Sequence, residues 1–132
     1  MESIEGVDDK IQEIEDKISI TEEKYKQETS HLSKERHKFA AKLDKKIEKE
    51  LKPLKLELAK FKTEILRDQE SKFGRDHVCF TTEINPGSGF KPLNKIASGG
   101  ELSRFLLAAK LCFFDEDSKK TQIFDEIDRG VG

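Results

Sequence analysis

The sequence has few of the residues that build large cores or disulfide frameworks. Its 132 residues include no tryptophan, one tyrosine, two cysteines and three prolines, and only 34% are hydrophobic. Cys79 and Cys112 lie 33 residues apart in apolar runs, so we expect reduced core thiols rather than a disulfide scaffold. No apolar run approaches the roughly 18 residues that span a membrane, and no signal peptide is recognisable. A soluble, cytoplasmic protein of about one domain is expected.

Charge is distributed unevenly along the chain. Residues 1–33 contain 4 basic and 10 acidic side chains, a net charge of −6, whereas residues 34–62 contain 11 basic and 5 acidic ones, a net charge of +6. The formal net charge of −2 conceals this separation. A basic segment of this kind fits either a nucleic-acid contact or a solvated, lysine-rich helix face, and the sequence leaves both interpretations open.

The first part of the chain predicts a long helix. Apolar side chains recur every seven residues, at Ile4, Ile11, Ile18, Tyr25, Leu32 and Phe39. The stripe then moves in steps of three and four through Leu43, Ile47, Leu51, Leu54 and Leu58. This period is typical of a coiled coil with a local change of phase, and we assign residues 1–60 to a coiled-coil arm helix. A core helix of a bundle is the alternative, and Pro53 should kink the helix or mark its last turns.

The second part changes to a period of two. Residues 61–65 and 78–84 alternate in polarity and predict two strands, connected by the polar residues 68–71 and Gly74. Residues 85–89 predict a turn, the apolar residues after Gly100 a buried helix, and residues 121–124 a short strand. The fold class is therefore α/β, with residues 61–132 forming a mixed lobe behind the arm helix.

Two motifs in this lobe suggest chemistry. Ser98-Gly99-Gly100-Glu101 fits a capping box that starts a helix, but two adjacent glycines are costly unless a group approaches the main chain closely. A helix N-terminus favours an anion, so a phosphate contact is the functional alternative to simple capping. Downstream, the predicted strand 121–124 ends in Asp125 and Glu126, an acidic pair suited to a magnesium–nucleotide site, although many strands end in acids.

The order of these motifs is more specific than either motif alone. A glycine-rich helix start, a buried helix and an acid-ended strand within about 30 residues resemble the C-terminal half of an ABC-type ATPase head of the SMC-like branch. Four segments most resemble the sequences of the RecN family of bacterial DNA repair proteins. They are residues 96–104 and 123–128, Asn85-Pro86-Gly87 and Lys91-Pro92-Leu93. The resemblance covers roughly residues 30–132, and residues 1–29 match only as generic coiled coil.

The resemblance implies roles for individual residues. Ser98, Gly99, Gly100 and Glu101 are similar to the ABC signature motif, which contacts the γ-phosphate of ATP held by an opposing head. Residues 121–126 look like a Walker B strand, in which Asp125 would assist Mg²⁺ and Glu126 would be the general base. The family also implies the cofactors ATP and Mg²⁺, a role in DNA double-strand break repair and recombination after DNA damage, and a nucleoid-associated parent that contacts DNA.

Several features depart from the family pattern. No Gly-x-x-x-x-Gly-Lys-Ser/Thr loop occurs, so the Walker A half of the head is missing. Gln122 and Arg129 replace residues that are apolar and small in the family. We interpret the chain as an incomplete ATPase half that binds ATP weakly or not at all by itself and has an exposed sheet edge. Its expected partners are the N-terminal head half or a second head.

A different class of function remains open. The alternative is a coiled-coil interaction module without nucleotide chemistry, which associates with itself or with another helix through the stripe that begins at Ile4. The resemblance implies that Arg104 lies on the helix that couples the signature motif to the arm. The alternative interpretation is an ordinary arginine that is exposed on the surface or ion-paired.

Overall fold

The first element is a helix of 48 residues, and it dominates the structure. A computed structural model describes residues 3–113, in which helix α1 spans Ile4–Leu51. Ser3 caps its start, because the Oγ atom accepts a hydrogen bond from the N–H of Gly6 at 3.2 Å. Pro53 follows its end within a 3₁₀ turn, Lys52–Leu54. The predicted long helix and the effect of Pro53 are confirmed, but the helix does not continue to residue 60.

The strands form a hairpin longer than expected. Strand β1, Lys60–Ser71, pairs antiparallel with β2, Gly74–Glu83, and a two-residue strand β3, Lys91–Pro92, adds to the other side of β2. The prediction that residues 68–71 connect two short strands is therefore wrong. These polar residues extend a solvated ribbon, which closes at Gly74 with a φ of +101°. Residues 85–89 form the predicted turn, where Ser88 N–H donates to the Asn85 carbonyl at 3.0 Å.

The hairpin lies along α1 and is held there by polar contacts. The Tyr25 hydroxyl donates to the Ser71 carbonyl at 2.8 Å and accepts from the Ser71 N–H at 3.0 Å. Nearer the lobe, Asp76 accepts from Ser33 Oγ and from Arg36, each at 3.0 Å. The Asp76 side chain is 5% exposed, so this ion pair is shielded from water on one side. The hairpin consequently lies beside α1 from Tyr25 to Arg36, although Leu32 and Phe39 of the apolar stripe stay 38% and 56% exposed.

The outer edge of β1 is closed by acidic side chains of α1. Glu48 accepts from the N–H of Phe61 at 3.1 Å, and Asp44 accepts from the N–H of Thr63 at 2.9 Å and from its hydroxyl at 2.7 Å. At these two residues the expectation of an exposed sheet edge is wrong, because α1 lies against β1 and supplies the missing acceptors.

The core lies where the C-terminal end of α1 meets the sheet and the last described helix, α2, Gly99–Phe113. It consists of Leu43, Ile47, Leu51, Leu56, Ala59, Phe61, Phe105 and Ala108. Three large apolar side chains of α2, Leu106, Leu111 and Phe113, are nevertheless between 47% and 55% exposed. The expectation of a helix buried on most sides is thus met only in part within residues 3–113.

Both cysteines are free thiols, as expected, and each is half-buried. Cys112 packs against the core cluster, and burial raises the pKa of its thiol, with a smaller contribution from the nearby Glu50 carboxylate. Within residues 3–113, no helix is both long enough and apolar enough to cross a membrane.

Candidate nucleotide-facing turn

The short segment between β3 and α2 positions the candidate motif. After β3 the chain makes a 3₁₀ turn, Leu93–Lys95, closed by the Ile96 N–H donating to the Leu93 carbonyl at 3.2 Å. Leu93 and Ile96 pack against the core cluster and thereby fix the entry to α2. This segment therefore holds the first turn of α2 on the surface of the lobe rather than in a free loop.

Ser98 acts as the helix cap that its sequence suggested. Its Oγ atom accepts from the Glu101 N–H at 3.3 Å, and its carbonyl accepts from the Leu102 N–H at 3.1 Å. The hydroxyl thus satisfies one of the free N–H groups at the start of α2. Glu101 is half-buried, and it places a carboxylate in the first turn, where the helix dipole favours negative charge.

The two glycines have different surroundings. Gly99 is exposed, and a Cβ atom built on it would meet nothing within 4 Å, so the packing of this chain gives no reason for glycine there. Gly100 is buried at the base of the turn. The helix start therefore presents an uncovered stretch of backbone at Gly99, which a phosphate or another backbone could approach closely.

Arg104 lies one turn further along α2 and is buried, with 6% of its surface exposed. Its Nε and one terminal nitrogen are buried without a hydrogen-bond partner among the described residues. It is therefore not a surface residue, and no described residue forms an ion pair with it. Buried guanidinium donors usually have acceptors, so this side chain marks a place where the described lobe is incomplete. Sequence patterns gave no signal of its burial.

The second predicted motif cannot be placed. Asp125 and Glu126 lie outside the described residues, as do the predicted strand 121–124, Gln122 and Arg129. The assignment of Asp125 to metal and of Glu126 to catalysis therefore stays a prediction. Within residues 3–113, no three His, Cys, Asp or Glu side chains are grouped so as to hold a metal ion.

Comparison with known proteins gives a consistent answer over part of the chain. No protein-family model matches. Among curated proteins, the DNA repair protein RecN of Rickettsia felis is 49% identical to this chain over 75 residues. These residues are 56% of the chain. Proteins of the same name from Aquifex aeolicus and Vibrio cholerae are 42% and 41% identical over 55% of the chain.

The matched segment is a small part of these relatives. It covers 14% of the Rickettsia felis and Vibrio cholerae proteins and 13% of the Aquifex aeolicus protein. Relatives from distant bacteria nevertheless carry the same name, which agrees with the family recognised from residues 85–104 and 123–128. Over about 55% of its length, the chain is therefore similar to a partial region of the DNA repair protein RecN, as its motifs predicted.

Proposed function

We propose that this chain supplies the signature-motif lobe of an ABC-type ATPase head in a DNA repair protein. The observation that carries the proposal is the start of α2, where Ser98 caps the helix and Gly99 leaves the backbone open. Such a turn can bind the γ-phosphate of ATP that another head half holds. The similarity to RecN over about 55% of the chain supports the same role.

Two further features support a lobe that functions with more polypeptide. Two nitrogens of the Arg104 guanidinium are buried without acceptors in the described part of the chain, and the apolar side chains of Leu106 and Leu111 on α2 are about half exposed. Both features fit a surface completed by the N-terminal head half. When ATP and Mg²⁺ are bound, Asp125 would assist the metal and Glu126 would accept a proton from the attacking water. Ser98 and the open backbone at Gly99 would orient the phosphate.

Reconstitution with a separate Walker A half tests this proposal. The chain alone should show no ATP hydrolysis above background, because phosphate affinity in such heads comes mainly from the Walker A loop and its lysine. Adding a polypeptide that carries the Walker A half of a RecN relative should produce hydrolysis, and Glu126→Gln should reduce its rate at least about 100-fold. Robust hydrolysis by the 132-residue chain alone would contradict the proposal.

Gly99→Glu separates phosphate binding from folding. No atom lies within 4 Å of the added Cβ, and a carboxylate in the first helical turn favours the helix, so the free energy of unfolding should change by less than about 1 kcal/mol. The added charge should nevertheless repel the γ-phosphate and abolish ATP-dependent association with the other half. Ser88→Ala, which alters a hydroxyl in the exposed turn 85–89, is the control and should leave association unchanged.

A second candidate function is helix pairing, favoured by the uncovered part of the stripe on α1. Ile4, Val7, Ile11, Ile14 and Ile18 are between 42% and 82% exposed. The hairpin contacts α1 from Tyr25 onward, which leaves about three heptads before Tyr25 for another helix. A coiled coil of this length would associate reversibly, with a second copy or with a partner helix.

Sedimentation equilibrium tests self-association through this stripe. The chain should have a mass above that of the monomer at high concentration, and Ile11→Asp with Ile18→Asp should restore the monomer mass, because a charge at a seam position is costly. Ile20 is 69% exposed but lies off the stripe, so Ile20→Asp is the matched control and should leave the mass unchanged. An unaltered mass in the double variant would exclude self-association through the stripe.

A further inference from the structure

The outer face of α1 carries a row of lysines. They recur in steps of three and four residues, which places them on one side of a helix with 3.6 residues per turn. All are exposed, and the row spans about 27 Å at 1.5 Å per residue. Its members are Lys34, Lys38, Lys42, Lys45, Lys49 and Lys52.

The opposite side of the same helix is committed to the fold. Ala40, Leu43 and Ile47 are buried against the hairpin and α2, so the row is the outward surface of the lobe. Two acids of this segment are turned away from the row, since Asp44 and Glu48 accept hydrogen bonds from β1. In the described part of the chain, the one ion pair to the row joins Lys38 and Glu35.

This arrangement is unfavourable for the free chain. Lysines four residues apart on a helix repel each other, at a cost of about 0.2–0.5 kcal/mol for each pair. Neutralisation by neighbouring acids would remove the cost, but Glu35 pairs with Lys38 alone among the described members of the row, and Asp44 and Glu48 are engaged with the sheet. A polyanion aligned with the row would gain from every lysine and release its own counterions.

The ligand chemistry follows from what the row contains. A 27 Å row equals about eight base pairs of duplex DNA at 3.4 Å per step. Single-stranded DNA is usually held by aromatic side chains on which bases stack, whereas Phe39, the aromatic residue of this helical segment, stacks on Phe113 away from the row. A flat face of lysines therefore suits the regular phosphate backbone of a duplex, without selection of sequence.

We propose that this lysine row is a binding surface for the backbone of duplex DNA. The site is confined to the lobe end of the helix, because the same helical face is acidic nearer the N-terminus, at Glu5, Asp9, Glu13 and Asp16. DNA is thereby directed to the base of the arm, next to the sheet and α2. The surface would serve the repair role proposed above, but it requires no nucleotide.

The test is the salt dependence of binding to a labelled duplex of about 30 base pairs, measured by fluorescence anisotropy with the full chain and without ATP. Six lysine–phosphate contacts give a slope of log K against log salt of about −5, since each contact contributes about −0.9. Replacing Lys34, Lys38, Lys45 and Lys49 with glutamine should reduce the slope to about −2 and weaken binding at least about 10-fold at low salt. Glutamine keeps the helix propensity, and circular dichroism checks the fold.

A matched variant removes the same charge from the same helix. Lys10, Lys17, Lys24 and Lys26 replaced with glutamine should leave the slope within about one unit of that of the unmodified chain. An equal loss in both variants would overturn the proposal, as would absence of duplex binding at low salt. Tighter binding to a single strand of equal length or to phosphatidylserine vesicles would also overturn it. Failure here would leave the ATP reconstitution unaffected, because that assay contains no DNA.

Discussion

Phe105→Ala should lower the free energy of unfolding of the chain by about 3–5 kcal/mol. Phe105 is fully buried in α2 and belongs to the cluster that joins this helix to α1 and β1. Removal of its ring deletes apolar contacts and leaves a cavity that the long, continuous helix α1 cannot close by moving inward. Such a loss is a large share of the roughly 5–15 kcal/mol that stabilises an ordinary domain.

Urea denaturation followed by circular dichroism measures this effect. Phe73→Ala is the matched control, because the Phe73 side chain is 67% exposed beside the hairpin turn and should cost less than about 1 kcal/mol. Arg36 contacts the carbonyl of Phe73, which the substitution retains. Similar losses in the two variants would mean that the cluster around Phe105 is not the core that holds α2 in place.

Local sequence patterns predicted the elements that depend on neighbouring residues. The heptad spacing from Ile4 predicted α1, the proline at position 53 predicted its end, and Ser98 with Glu101 predicted the start of α2. Each of these features arises within a few residues of the chain, from periodicity, from the missing proline donor or from a side-chain cap. They could therefore be predicted without knowledge of tertiary contacts.

The features that were missed arise between distant parts of the chain. Residues 68–71 have no apolar alternation. They extend β1 because Ser71 pairs with Gly74 beyond an irregularity in the register and contacts Tyr25, 46 residues away. The edge contacts of Asp44 and Glu48 likewise depend on where β1 lies beside α1. A single sequence does not specify such pairings, because charged helix residues are ordinarily solvated.

In the candidate site, too, the features set by neighbouring residues could be predicted and those set by tertiary contacts could not. The capping role of Ser98 and the openness at Gly99 follow from the local motif, whereas the burial of Arg104 depends on how α2 packs. The lysines of residues 34–62 were recognised as a charge excess, but their arrangement as one row became specific only once the opposite face of α1 was seen to be occupied. The packing of α1 against the hairpin and α2 therefore showed that these lysines form one exposed surface.

Asp76→Asn should detach the hairpin from the middle of α1 and lower the free energy of unfolding by about 2–3 kcal/mol. The Asp76 carboxylate is 5% exposed and accepts from Ser33 and Arg36, so the substitution removes a shielded charge and points an amide donor at donor groups. Breaking a fully buried pair costs about 3–5 kcal/mol, and the value here is lower because the Arg36 side chain is 25% exposed and can be hydrated.

Two measurements separate a local from a global effect of Asp76→Asn. Urea denaturation gives the change in free energy, and hydrogen exchange at the Ser71 N–H, which donates to Tyr25, reports on the hairpin tip. We expect exchange there to accelerate more than exchange in the core helix around Ile47. Asp68→Asn is the control, since Asp68 is exposed and bonds only to the neighbouring Gln69 N–H among the described residues. If Asp76→Asn cost no more than this control, the hairpin would be held against α1 by the Tyr25 contacts and apolar packing, without help from the ion pair.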